Sequence, residues 1–145
     1  SNASSIENWS ITGLDGSELP YVTSNGRFRL TKNLNNQSTA AAYNYTFPMS
    51  DNYILIDFEH YVHGSSDGGD GIALVFSDAN VPPSAGAFGG PLGYGVKLKS
   101  QYTDDPNVTR DIEGFAGGWL GIGIDEYGNY ELQGAPVRKY DPFGC

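Results

Sequence analysis

The stretch GGWLGIGIDEYGNY, residues 117–130, decides how this sequence is read. Apolar residues and glycines fill the run from Trp119 to Ile124, which stops at an acidic turn carrying Asp125, Glu126 and Asn129. A short apolar run bounded by glycine and aspartate has the length and flanks of a strand. Its end has two competing readings. It is either a plain hairpin turn or a loop whose oxygens hold a calcium ion that in turn holds a ligand.

The neighbouring segments extend the strand reading. RFRLT (27–31), TAAAYNYTF (39–47), NYILIDFEHYVHG (52–64), GIALVFSD (71–78) and YGVKLKS (94–100) are short runs bounded by Gly, Pro, Asn, Asp or Ser. In the third, Ile54, Ile56, Phe58, His60 and Val62 fall on one face and Tyr53, Leu55, Asp57, Glu59 and Tyr61 on the other. The separators GSSDGGDG, DANVPPSAGAFGGPLG and QYTDDPNVTRDIEGFAGG are rich in turn formers, and no segment has the period of a long amphipathic helix. The pattern predicts an all-β domain, a sandwich of antiparallel sheets. It spans residues 4–145, since Ser1, Asn2 and Ala3 read as the remnant of a cleaved expression tag. The long Gly- and Pro-rich loop from Asn80 to Gly93 has a length often tied to function. The plain reading of the Gly-rich loop from Ala85 to Gly95 is a flexible surface loop.

Composition narrows the function. With 145 residues the chain is long enough to bury a core, and 13% aromatic content argues against disorder. The net charge of −9 repels polyanions, so nucleic acids and acidic membrane surfaces are poor partners. No apolar run approaches the roughly 20 residues that span a bilayer. One cysteine, Cys145, allows no internal disulfide and no Cys/His zinc cluster. His60 and His63 lie three apart, which in a strand puts them on opposite faces. The four Asn-x-Ser/Thr sequons, at Asn8, Asn36, Asn44 and Asn107, read as chance in an Asn-rich chain.

Catalysis has little to stand on. Glycoside hydrolysis needs two carboxyl groups about 5–10 Å apart across a bond. Sandwich-fold glucanases place them as ExDxxE on one strand, and the nearest stretch here, GIDEYG, has Gly123 and Gly128 where the glutamates belong. There is no GxSxG elbow. The glycine loop has neither a following Lys-Ser/Thr nor a helix, so it is no phosphate cradle. The chain reads as a non-enzyme.

Three segments, in order, resemble the L-type (legume-like) lectin family of the concanavalin A-like superfamily, and its bacterial branch in particular. They are GGDGIALVFSD, the loop PPSAGAFGGPLGYG, and WLGIGIDEYGN. The resemblance runs from about Trp9 to Tyr130 and implies a jelly-roll sandwich that binds glycans without cleaving them. It implies that Asp70 accepts hydrogen bonds from sugar hydroxyls and that Gly89 and Gly90 bring backbone N–H groups close to the sugar. Asn129 matches the asparagine that both ligates calcium and donates to the sugar, and Asp125 matches the metal carboxylate. Tyr127 would ligate calcium through its carbonyl. An aromatic platform for the sugar would come from Tyr127, Tyr130 or Phe88.

The departures matter too. Gly123 stands where plant members carry a transition-metal glutamate, so no transition metal is expected. The second calcium aspartate has no clear match, with Glu131 or Gln133 nearby, and the metal histidine is missing. The turn is thus either a calcium loop or one held by protein contacts. The chain is also shorter than a complete domain of this kind and ends soon after the metal loop, which reads as an incomplete copy. An exposed sheet edge would then invite self-association. The expected setting is the surface, exterior or periplasm of a bacterium, on an adhesin tied to pilus assembly or agglutination. The alternatives are a structural or protein-binding adhesin domain with a vestigial sugar site and, further off, a polysaccharide-cleaving enzyme.

Overall fold

The protein is described here from a computed structural model covering residues 6–48, 50–51, 53–64 and 69–127. Its regular structure is all-β apart from one 3-10 turn at Lys99–Gln101. Among the described residues, six strands form three separate two-stranded antiparallel sheets: β1 (Trp9–Gly13) with β4 (Thr39–Tyr43), β2 (Tyr21–Val22) with β3 (Phe28–Arg29), and β5 (Gly71–Ser77) with β6 (Gly118–Asp125). Among the described residues no helix is long and apolar enough to cross a membrane.

The β1–β4 ladder sets Trp9 opposite Tyr43 and Ile11 opposite Ala41. The Trp9 ring lies 5.2 Å from Tyr43 and 6.3 Å from Phe28 of β3, tilted against both. Such aromatic pairs contribute about 0.5–1.5 kcal/mol each beyond their buried area. The β5–β6 ladder runs from Gly71 opposite Asp125 to Phe76 opposite Leu120, with a bulge at Phe76/Ser77 that shifts the partner to Gly118.

The Tyr94 ring lies directly on β6, so a methyl group at Gly121 would fall 2.7–2.8 Å from three of its ring carbons. A strand that must accept an aromatic ring flat against its backbone needs glycine there.

The core is not where alternation alone would place it. Most of its buried members, Ala85, Ala87, Phe88, Pro91 and Leu92, belong to the glycine-rich loop, with Pro20 and Val108 joining from outside it. The expectation of a flexible surface loop is therefore corrected. Within the loop, Gly86 N–H donates to Gly93 O (2.8 Å), Gly93 N–H to Ala87 O (3.0 Å) and Leu92 N–H to Gly89 O (2.8 Å). Buried backbone groups without a regular partner strand must be satisfied this way or lose stability. Outside the loop, the buried Ser38 hydroxyl donates to Gly86 O (2.7 Å), and Ala85 N–H donates to the Thr12 hydroxyl (3.1 Å). A methyl at Gly86 would come within 2.7 Å of both Gly93 O and Phe115 N.

Two expected strands do not form. Residues 53–63 of NYILIDFEHYVHG carry no ladder hydrogen bonds, and Tyr53 and Leu55 are 86% and 76% exposed. Alternation gives a segment two faces, but a strand also needs a ladder partner, and among the described residues β5 pairs only with β6. YGVKLKS becomes a turn closed on Pro91 O, a single bridge between Lys97 and Ile112, and the 3-10 turn. RFRLT and TAAAYNYTF shorten to β3 and β4, while β1 and β2 fall in stretches the sequence reading did not mark.

Gly121→Ala and Gly86→Ala should each destabilise the protein by about 1–3 kcal/mol through overpacking. At Gly69 an added methyl meets nothing within 4 Å, so Gly69→Ala should stay within about 0.5 kcal/mol. Urea unfolding of the three variants checks this, and equal stabilities would contradict the packing described.

Candidate functional site

Asp70 sits one residue before β5, where the ladder brings the acidic turn alongside it. Its carbonyl accepts from Glu126 N–H (3.1 Å) and Tyr127 N–H (3.4 Å). The backbone thus stitches Asp70 to the turn after β6. The third piece arrives from the core loop. Gly89 has a left-handed backbone, φ 78°, and a methyl there would lie 3.9 Å from Asp70 Oδ1. Asp70 and the Gly89–Gly90 turn therefore share one small space, although 19 residues separate Asp70 from Gly89 in sequence. The side-chain-free surface of Gly89 keeps that space open. Among the described residues, neither the Asp70 carboxylate nor the Gly89 and Gly90 N–H groups has a hydrogen-bond partner.

A fourth participant, absent from the sequence reading, is Lys97. It is only 5% exposed, and its Nζ would lie 3.1 Å from the same methyl position at Gly89. The ammonium sits 4.2 Å from the Phe88 ring centroid and 4.8 Å from that of Tyr102. Its ion-pair contact is Asp105 Oδ2, at a long 3.8 Å. Its backbone is fixed by reciprocal bonds with Ile112 (2.9 and 2.8 Å). Val-Lys-Leu-Lys reads as an alternating strand with its lysines on a solvent face, so local pattern hides this burial.

Charges at the site follow from this geometry. Burial holds the Lys97 amine below the ordinary lysine pKa, while the Asp105 and Asp70 carboxylates pull the other way. Asp105 is held below the usual carboxylate range first by the Asn107 backbone N–H, which donates to Oδ1 at 2.9 Å, with Lys97 a lesser cause. Burial also raises the Tyr102 phenol, with Asp105 adding to it.

The remaining expected residues fall out unevenly. Asp125 is half-buried at the last rung of the β5–β6 ladder, and Tyr127 is exposed beside Asp70. Gly90 is buried. Asn129 and Tyr130 lie outside the described residues. Phe88 is not an open sugar platform, because it is buried and Lys97 covers a face of its ring. His60 Nε2 is buried 2.9 Å from Glu126 Oε1, not aligned for a directed hydrogen bond, and this is an ion pair only when the imidazole is protonated. Among the described residues no three His, Cys, Asp or Glu side chains gather as a metal-binding group. An open cleft of about 790 Å³ lies elsewhere, lined by Tyr94, Val96, Arg110, Glu113 and Phe115 among others. It includes neither Asp70 nor Gly89.

Compared with known proteins, the chain matches no family model, no curated protein and no solved structure.

Lys97→Met keeps the length of the side chain and removes a buried charge, while Asp105 keeps its Asn107 partner. The variant should be at least as stable as the parent near neutral pH. The sign with pH is defined. A lysine whose folded pKa is lowered costs stability while both states hold the proton. That cost disappears as pH rises through the folded value toward the unfolded 10.5. The advantage of the variant should therefore shrink between neutral pH and pH 10, as measured by urea midpoints. An advantage that grows with pH would contradict the assignment.

Proposed function

We propose that this chain is a non-catalytic carbohydrate-binding module, similar to the L-type lectins and built on a concanavalin A-like sandwich of which the described strands are part. In this reading Asp70 accepts hydrogen bonds from two sugar hydroxyls, the Gly89–Gly90 turn donates backbone N–H groups, and Tyr127 offers its ring to the apolar face of the sugar. Asn129 completes the site as a donor. The module belongs to an exported bacterial adhesin.

The single observation that carries the reading is the meeting of Asp70 with Gly89. Two motifs singled out for sugar binding share one space, beside a carboxylate and N–H groups that have no partner among the described residues. A charged acceptor makes hydrogen bonds about twice as strong as a neutral one, which suits recognition of hydroxyls in competition with water.

Calcium belongs to the family pattern at Asp125, Tyr127 and Asn129. The two described residues of that pattern, Asp125 and Tyr127, supply one carboxylate and one carbonyl, short of the six to eight oxygens calcium takes. The proposed contacts of Asp70 and Gly89 need no metal, and none is routed through one.

The test is a glycan array probed with the parent chain and with Asp70→Asn. The parent should bind, and the variant should lose binding while its melting midpoint moves less than about 2 °C, a shift worth well under 1–2 kcal/mol for a domain of this size. Undiminished binding by Asp70→Asn would remove Asp70 from the site.

A further inference from the structure

Lys97 is a charged side chain inside the protein with little to hold its charge. An ammonium has three N–H donors. Among the described residues none of them makes a hydrogen bond, the contact with Asp105 is long, and the rest of the shell is two aromatic rings. The stem is buried, but the nitrogen itself still reaches solvent, since among the described residues the buried side-chain polar atom left without a partner is His60 Nε2. Each cation–π contact contributes about 0.5–2 kcal/mol and leaves the N–H donors unused.

What the ammonium faces is equally specific. Lys97 Nζ and Asp70 Oδ1 both come within 4 Å of the point where Gly89 lacks a side chain, yet the two form no direct ion pair. A donor with free N–H groups and an acceptor with free lone pairs thus lie across one gap. A hydroxyl group fits between them chemically, since its oxygen accepts from the ammonium while its hydrogen goes to the carboxylate.

We propose that Lys97 is a ligand-contacting residue of this site, bridging with Asp70 to a hydroxyl across the gap at Gly89 and selecting a neutral polyol, a pyranose with free hydroxyls, over a sugar bearing a carboxylate. The selection follows from charge. Two carboxylates, Asp70 and Asp105, flank one ammonium, and the chain carries −9 overall. An anionic sugar would meet a net negative site on a negative protein. This proposal rests on the carbohydrate-binding reading above and adds to it a residue and a ligand class.

The experiment uses an array of neutral glycans (mannosyl, glucosyl and galactosyl) beside acidic ones (uronic acid and sialyl). It is probed with the full chain, Lys97→Met and Asp70→Asn, with a melt of each variant. The parent should bind neutral glycans, and Lys97→Met should bind them at least tenfold more weakly at an unchanged or higher melting midpoint. Lys97→Gln, which keeps a donor and removes the charge, replaces Lys97→Met if that variant does not fold, with the same loss expected. Binding retained by the Lys97 variant but lost by Asp70→Asn overturns this inference alone. Binding confined to acidic glycans overturns the ligand class. No binding by the parent overturns both this inference and the reading on which it rests.

Discussion

The structure depends on the close approach of backbone to backbone around Gly86, deep in the glycine-rich loop. Gly86 exchanges contacts with Gly93 inside the loop, meets Phe115 N from the segment before β6, and receives the Ser38 hydroxyl from the start of β4. Three parts of the chain converge on one residue that has no side chain to spare. A loop pinned this way behaves as a core element, and its far end is positioned as firmly as a strand would be. That far end is Gly89, which faces Asp70 and Lys97. The fold and the candidate site are thus joined by one short hydrogen-bonded loop.

Lys97 beside this loop is buried along its stem, while its ammonium reaches the gap at Gly89 with few protein partners. The Phe88 and Tyr102 rings give partial compensation, and Asp105 is too distant for a strong pair. Functional sites commonly carry such unresolved polar groups, because the missing partners are supplied by the ligand. The same logic applies to Asp70, whose carbonyl is fully engaged with the turn at Glu126 and Tyr127 while its carboxylate is left open. Backbone bonds fix the residue, and the side chain is free to work.

Much of this was legible in the sequence. GIALVFSD and WLGIGID read as strands and pair as β5 and β6, and the sequence alone points to Asp70, Gly89 and the acidic turn. What was not legible depended on partners. The segment at 53–63 alternates as well as any strand, but it makes no ladder with another strand among the described residues, and period alone does not reveal that. The loop at 85–95 looked solvent-exposed because Gly, Ala and Pro are small, yet small residues are what allow backbone to pack inside backbone. Lys97 was hidden by a Val-Lys-Leu-Lys pattern that normally puts lysines in water. Its burial comes from Phe88 and Tyr102, which lie nine residues before it and five after.

The most direct test of the account is native-state hydrogen exchange of the backbone amides. If the glycine-rich loop is part of the core, the amides of Gly86, Ala87, Gly93 and Gly95 should be protected to an extent comparable with the β5–β6 ladder. Residues 53–63 should exchange far faster, since they carry no ladder bonds. Loop amides that exchange as fast as residues 53–63 would mean that the loop is not held. The space shared by Asp70, Gly89 and Lys97 would then have no fixed wall, and the account would fail at its centre.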